Sequence, residues 1–335
     1  MKIWAILGAH RGDNNQVLAL AEALGLPFER KELRYNSLRH FQPQLLGATV
    51  RSLSRKSRDA IAGDAPDLTI STGHRSVPVV QALRRRSAGK TQSIHVGYPR
   101  ISPEDFDLVV ATPEYPIPDH PRLLRIPFAL TRARNDGPPS EDFRQAYPAP
   151  RRVMVLGGPT LYWQLAPADV SRTLEQLLEA AERDGGSVLV VGSPRTPPKV
   201  LTHACVAIDQ ARVPAALVQM GGPPSYGSLL EVADSLLVTA DSVAMVSDAV
   251  ATGKPIGLIP VRPTFGGRLM MSLMERLRPG RRMHPRDLRF FWEALNNEGL
   301  VGTVAEPRGG RVPDLNRIVA TRVRAVLNAG SGASR

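Results

Sequence analysis

The sequence predicts an α/β protein made of two doubly wound domains joined by one linker, with a cleft between their sheet ends. Three observations point there. Short apolar runs alternate with helical stretches through the first half of the chain. The alternation stops in a segment rich in Pro, Gly and charge, Thr131–Pro150, and then restarts. The length, 335 residues, exceeds what one ordinary hydrophobic core serves. Short buried strands alternating with helices require a parallel sheet covered on both faces.

The first domain opens with the apolar run Ile3–Gly8, a strand. DNNQVLALAEAL, Asp13–Leu24, follows as a helix with Asp13 as its cap and Gly25 as its stop. Leu68–Ser71, Ser93–Val96 and Phe106–Ala111 read as further strands, with a helix over Val77–Arg86. In the second half, Arg152–Leu156, Ser187–Val191 and Ala204–Ile208 read as strands. Pro167–Arg183 and Tyr226–Ala233 read as helices. Leu237–Pro260 (LVTADSVAMVSDAVATGKPIGLIP) reads as strand, polar turn, short helix, Gly stop and strand. Asp241 and Ser242 are expected to cap that short helix. Leu269–Leu277, Arg286–Asn296 and Asp314–Leu327 complete the helices. The expected domains are 1–135 and 151–310, with 136–150 as linker and 311–335 as a C-terminal helix and frayed tail.

Composition narrows the function classes. Hydrophobic residues make up 42% and charged residues 22%, as in a soluble globular protein, and no apolar run approaches the ~18 residues of a membrane span. The apolar start ends at Arg11 and Asp13, too soon for a secretory signal. The lone Cys205 rules out an internal disulfide framework and a Cys-based metal cluster, and a reducing cytoplasm is the expected location. Seven scattered His residues show no HxxxH spacing, so no metal site is expected. The net charge of +12 is concentrated in patches. Residues 30–58 carry eight basic side chains and one acid, and residues 268–289 carry seven against two. Such patches favour anions. Aromatic residues are only 5% and no recognition motif appears, so nucleic acid is not an expected partner.

Five loops leave predicted strand ends, where doubly wound folds bind ligands. The first is Gly8–Gln16, with His10, Gly12, Asp13, Asn14, Asn15 and Gln16. It is neither GxGxxG nor GxxxxGK[ST]. The second, Ser71–Ser76, carries His74 and Arg75. The third, Gly157-Gly158-Pro159-Thr160, allows close backbone approach. The fourth, Ser193-Pro194-Arg195-Thr196, sets a cation beside hydroxyls, a combination suited to a diphosphate. The fifth, Ala240-Asp241-Ser242, precedes a helix start, where free N–H groups and the helix dipole favour a phosphate. Each loop alone is also compatible with an ordinary tight turn. Loops three to five are expected to converge at one sheet edge. GxSxG is missing, so a serine hydrolase is not indicated.

Together, GDNNQ (Gly12–Gln16), TGHRSVPV (Thr72–Val79), HVGYPR and PEDFDLVV (His95–Val110) form an ordered set of motifs. LGGPT (Leu156–Thr160), SPRTP (Ser193–Pro197) and TADSVAMVSDAVATGKP (Thr239–Pro255) continue it. The set resembles a group of bacterial proteins related to the plant "elongated mitochondria" fission factor and described as glycosyltransferases. The resemblance covers nearly the whole chain. It implies the GT-B architecture of two facing Rossmann-like domains, with no metal required. It implies a nucleotide-sugar donor side formed by Gly157, Gly158, Ser193, Arg195, Thr196, Asp241, Ser242, Ser247 and Asp248. Gly12, Asp13, Asn14, Asn15 and Gln16 would form the facing loop. Two positions depart from the family pattern. Pro194 stands where a basic residue is usual, and Asp248 stands where Glu is usual, one methylene shorter.

The expected reaction is metal-independent transfer of a sugar from a nucleoside diphosphate sugar to a hydroxyl acceptor, with no cofactor beyond that substrate. Asp13 is the first candidate base, followed by His74 and His10. The acceptor is expected to be a glycan or a lipid-linked molecule. The basic segment 30–58, where Phe41, Leu45, Leu46, Leu53 and Ile61 interleave with arginines, is a candidate for peripheral contact with an anionic membrane on its inner face. An ordinary helix packed by its leucines is the competing reading. Two other functions share the architecture: nucleotide-sugar epimerisation, and a non-catalytic scaffold that kept the fold.

Overall fold

Both six-stranded sheets of the computed structural model are parallel and grow outward from a central apolar strand. Residues 1–132, 136–219, 221–277 and 282–332 are described. The chain divides into two units, Met1–Arg132 with Pro313–Arg335, and Ala133–Val312.

In the first unit β1 (Ile3–Leu7) is buried at every position. With β2 (Glu29–Glu32), β3 (Leu68–Thr72), β4 (Gln92–Val96), β5 (Leu108–Ala111) and β6 (Leu123–Arg125) it forms a sheet in the order β2-β1-β3-β4-β5-β6. The register sets Ile6 opposite Ser71 and Ser71 opposite His95, which brings the ends of β1, β3 and β4 to one edge. The helix Val77–Arg86 covers one face with Val77, Val80 and Leu83. The C-terminal helix Leu315–Gly332 returns to this unit. It buries Leu315, Val319, Ala320 and Val323, and its Arg324 donates to the carbonyls of Ala23 and Leu24.

The second unit holds β7 (Arg151–Leu156), β8 (Trp163–Gln164), β9 (Ser187–Gly192), β10 (Ala215–Gln219), β11 (Ser235–Thr239), β12 (Ile256–Ile259), β13 (Arg262–Pro263) and β14 (Gly302–Thr303). Its sheet runs β10-β9-β7-β11-β12-β14, the doubly wound order in which the strand sequence reverses beside the first strand. β8 and β13 form a separate antiparallel pair, held by the Arg262 guanidinium on both oxygens of Asp169 at 2.6 Å. Part of the expected linker belongs to this unit. The Ser225 hydroxyl donates to Asp136, and that of Ser228 donates to the Gly137 carbonyl.

Several elements differ from the sequence-based expectation. Ala204–Ile208 is not a strand but lies within the helix Pro198–Asp209, and the strand is β10. Val200 and Ala204, four residues apart, are that helix's buried positions, so its apolar content follows the helical period. β2 (ERKE) carries no apolar residue. As an edge strand it needs only its backbone to pair with β1, while the Lys31 ammonium lies over Trp4, 4.6 Å from the ring centre. The first helix starts at Arg11 with His10 as its N-cap, which places Asp13 inside the first turn and not at the cap. Ser242 is the N-cap of Val243–Val250 but makes no capping side-chain bond, and Asp241 precedes it.

Candidate functional site

Three of the predicted loops meet at the reversal point of the second sheet, where β7 and β11 lie side by side. Gly157 and Gly158 follow β7, Ser193–Thr196 follow β9, and Ala240–Ser242 follow β11. They are bonded to one another. The Gly157 N–H donates to the Thr239 hydroxyl at 2.7 Å, and the Gly158 N–H donates to Asp241 Oδ2 at 2.9 Å. The Thr196 hydroxyl lies 2.8 Å from the Leu156 carbonyl and 2.6 Å from that of Gly157, and accepts from the Ser193 N–H at 2.8 Å. Ser193 Oγ accepts from the Arg195 N–H at 3.3 Å.

Both glycines are required by close approach. A Cβ on Gly157 would run into the Asp241 carboxylate, and one on Gly158 would run into the Arg195 carbonyl. Glycine therefore lets the β7 loop pack against the β9 and β11 loops. Asp241 is fully buried. Burial pushes its pKa up, against the opposing pull of the Thr239 hydroxyl, the Gly158 N–H and the Arg195 charge. The structure thus replaces the expected cap with a cross-strand tether. Asp241 holds the glycine loop, and the helix start at Val243 has no capping side-chain bond from Ser242. Arg195 is exposed, while Thr196 and Ser242 are buried. Ser247 is buried in the second turn of the helix, with half-buried Asp248 beside it.

Trp292 joins this site from outside the sequence expectation. Trp292 Nε1 donates to the Ala240 carbonyl at 2.8 Å, and its ring meets that of Trp163 edge-on at 4.9 Å. Trp163 lies three residues past the GGPT loop in sequence, but Trp292 lies on the distant helix Leu288–Asn297, and no local pattern connects them.

The first unit holds a second cluster at the ends of β1, β3 and β4. Asn14 does not face outward. Its amide oxygen accepts from the Gly8 N–H at 2.8 Å and its nitrogen donates to the Gly8 carbonyl at 2.9 Å, so the side chain locks the β1 loop. Gly12, Asp13, Asn15 and Gln16 are half-buried along the same helix start, and His10 is exposed. His74 is half-buried. Burial, with the charges of Arg100, Arg75 and His10, pulls its pKa down to about 4. It is a neutral imidazole at pH near 7, able to accept a proton but a weak base. Tyr98 and Tyr115 stack nearby at 5.9 Å between ring centres, and Arg100 takes a positive φ of 64°. HVGYPR was the sequence signal for Tyr98 and Arg100. Asp105-Phe106-Asp107 precedes β5, and Asp107 accepts from the Ser93 N–H. Among the described residues no group of three or more His, Cys, Asp or Glu could hold a metal.

The two parallel sheets, one in each unit, define a GT-B-class α/β protein. The family profile described as mitochondrial fission ELM1 matches residues 11–299, and the chain belongs to that family. Solved structures similar in fold include S. aureus MnaA with UDP, at 11% identity and a TM-score of 0.55, covering 98% of this chain and 97% of the other. UDP-GlcNAc 2-epimerase from Methanocaldococcus jannaschii gives 11% and 0.52, covering 97% and 100%. UDP-N-acetylglucosamine 2-epimerase from Rickettsia bellii gives 10% and 0.51, covering 98% and 96%. No curated protein sequence matches the chain.

Proposed function

We propose that the second unit binds a nucleoside diphosphate sugar and that the protein transfers the sugar to a hydroxyl acceptor. The observation that carries this is the tether between Asp241 and Gly158. It presents two glycines, the Ser193–Thr196 turn and a helix start at one point of the sheet. A diphosphate there would take the backbone N–H groups of the helix start, with Arg195 as the cation. In transfer, the acceptor oxygen bonds to the anomeric carbon, the bond from that carbon to the diphosphate oxygen breaks, and the acceptor proton passes to a base. Asp13, His74 and His10 are the proposed candidates for that base. Neutral His74 can take the proton without first losing one.

The same fold is shared by proteins named as UDP-GlcNAc 2-epimerases, which supports a second reading, isomerisation of the sugar while it stays on the nucleotide. A glycan or lipid-linked acceptor is part of the first reading. The basic segment 30–58 is its proposed contact with an anionic surface. Leu53 and Ile61 are buried in the core, which leaves Phe41 (52% exposed) and Leu45 (76%) as the apolar contribution.

A thermal-shift panel of nucleoside diphosphates and their sugars tests the binding step. A ligand at a hundred times its Kd should raise the melting temperature by roughly 5–10 °C. No shift across the panel removes the nucleotide reading. Incubating a stabilising nucleotide sugar alone separates the two reactions. An isomerised sugar supports epimerisation, whereas release of the diphosphate only when acceptor is added supports transfer.

A further inference from the structure

The helix Phe265–Leu277 (FGGRLMMSLMERL) touches the rest of its unit along one narrow side. Gly267 is its buried residue, set against the Tyr162 carbonyl so closely that a Cβ would not fit. Thr264, just before it, donates through its N–H to the Tyr162 carbonyl and through its hydroxyl to the Leu161 carbonyl. Met270, Met271 and Met274 share the side of Gly267 and are half-buried. Phe265, Leu269, Leu273 and Leu277 recur every four residues and form a separate row. They are 76%, 61%, 42% and 67% exposed, and Leu161 beside Thr264 is 67% exposed. Single exposed leucines are ordinary, but an aligned apolar row of this size marks an interaction surface.

The charges around the row are mostly positive. Arg268 and Arg276 stand on the helix against Glu275, and Arg282 and Arg286 follow. Arg289 is matched by Asp287. We propose that this face lies in the interface of an anionic membrane, with the apolar row among the acyl chains and the arginines at the headgroups. A second copy of the chain would set basic rims against basic rims, which disfavours self-association through the same face. The row begins at Leu161, immediately after the Gly157–Thr160 loop, so the contact would hold the loop cluster of the second unit close to the bilayer surface. The proposal does not rest on nucleotide binding, and it concerns a different element from segment 30–58.

Vesicle flotation of the full chain tests it, comparing phosphatidylcholine with mixtures containing phosphatidylglycerol. The expected result is binding to the anionic vesicles, weakened by salt. The double variant Leu269→Glu, Leu273→Glu should lose about tenfold or more of that binding, because charge on the buried face of an interfacial helix is strongly disfavoured. Both sites are exposed, so its melting temperature should match the parent's. Arg268→Gln with Arg276→Gln should weaken binding less and flatten its salt dependence. Val206→Ser, an exposed apolar residue of the helix Pro198–Asp209, serves as the control and should still float. Four results would overturn the proposal: no flotation of the parent, equal flotation on neutral vesicles, flotation of the Glu variant like the parent, or a parent dimer that the Glu variant converts to monomer. The thermal-shift panel on the same variants reads nucleotide binding separately.

Discussion

Asp241 is a residue whose neighbourhood decides its role. Its carboxylate is buried, accepts one N–H, and is pushed toward the protonated form by that burial. A carboxyl whose folded pKa lies above its unfolded value opposes folding once ionised. The penalty is absent below the unfolded pKa, grows as pH rises through the folded one, and is complete above it. Asp241→Asn keeps an acceptor for Gly158 and removes the charge, so urea midpoints of the variant should gain on the parent as pH rises above the ordinary carboxylate range near ~4. Asp241→Ala should instead lose about 1–3 kcal/mol, because the Gly158 N–H is left buried without an acceptor. Gly157→Ala should cost a similar ~1–3 kcal/mol through overpacking against that carboxylate. His95 shows the opposite sign. It is fully buried, 3.0 Å from the Ser71 hydroxyl, with a pKa drawn down to about 3 by burial and the charge of His74. A His depressed in the fold leaves stability intact above its unfolded pKa near 6.5, and that stability is lost as pH falls toward the folded value. His95→Gln should flatten the decline seen by urea denaturation between about pH 6.5 and about pH 4.

The helix Val77–Arg86 has the bounds its sequence predicts, because a Pro at the start, an apolar period and a basic end are all local signals. The three loops of the second unit were legible for the same reason, since glycines and hydroxyls at strand ends are written next to the strands they follow. Their internal bonding was not legible. Asp241 reads as a cap from its place before a helix, yet its carboxylate tethers a residue 83 positions away, and Ser242 stands at the cap. Asn14 likewise reads as a ligand contact and serves as a clamp on Gly8. Arg195 is the element-level test of the phosphate reading. It is exposed and bonds through its backbone, so Arg195→Ala should leave the melting temperature unchanged. It should also weaken nucleoside diphosphate binding roughly tenfold, as expected for one charge-assisted contact, measured by calorimetry.

At the scale of the whole molecule, the C-terminal helix is the decisive feature. The last segment, Pro313–Arg335, belongs to the first unit, although the second unit separates them in sequence. Asn316 donates to the Thr131 carbonyl, Gln92 to that of Val326, and three of the helix's buried side chains are fully enclosed. Ending the chain at Val312 should therefore destabilise the first unit by about 5 kcal/mol or more, given roughly 1.5–3 kcal/mol for each large buried side chain. Limited proteolysis should then cut within 1–132 while 136–277 resists, and equal protection of both would contradict this account of the packing.

The amino-acid sequence by itself determined the class of fold, two parallel α/β sheets, and the loops that stand at their strand ends. Those follow from apolar periodicity and glycine placement, which act over a few residues. Only the tertiary structure decided the strand order, the polar edge strand β2, the tether from Asp241 to Gly158 and the return of the last helix to the first unit. Each depends on groups far apart in the chain, whose burial and hydrogen bonding become defined only when the sheets assemble.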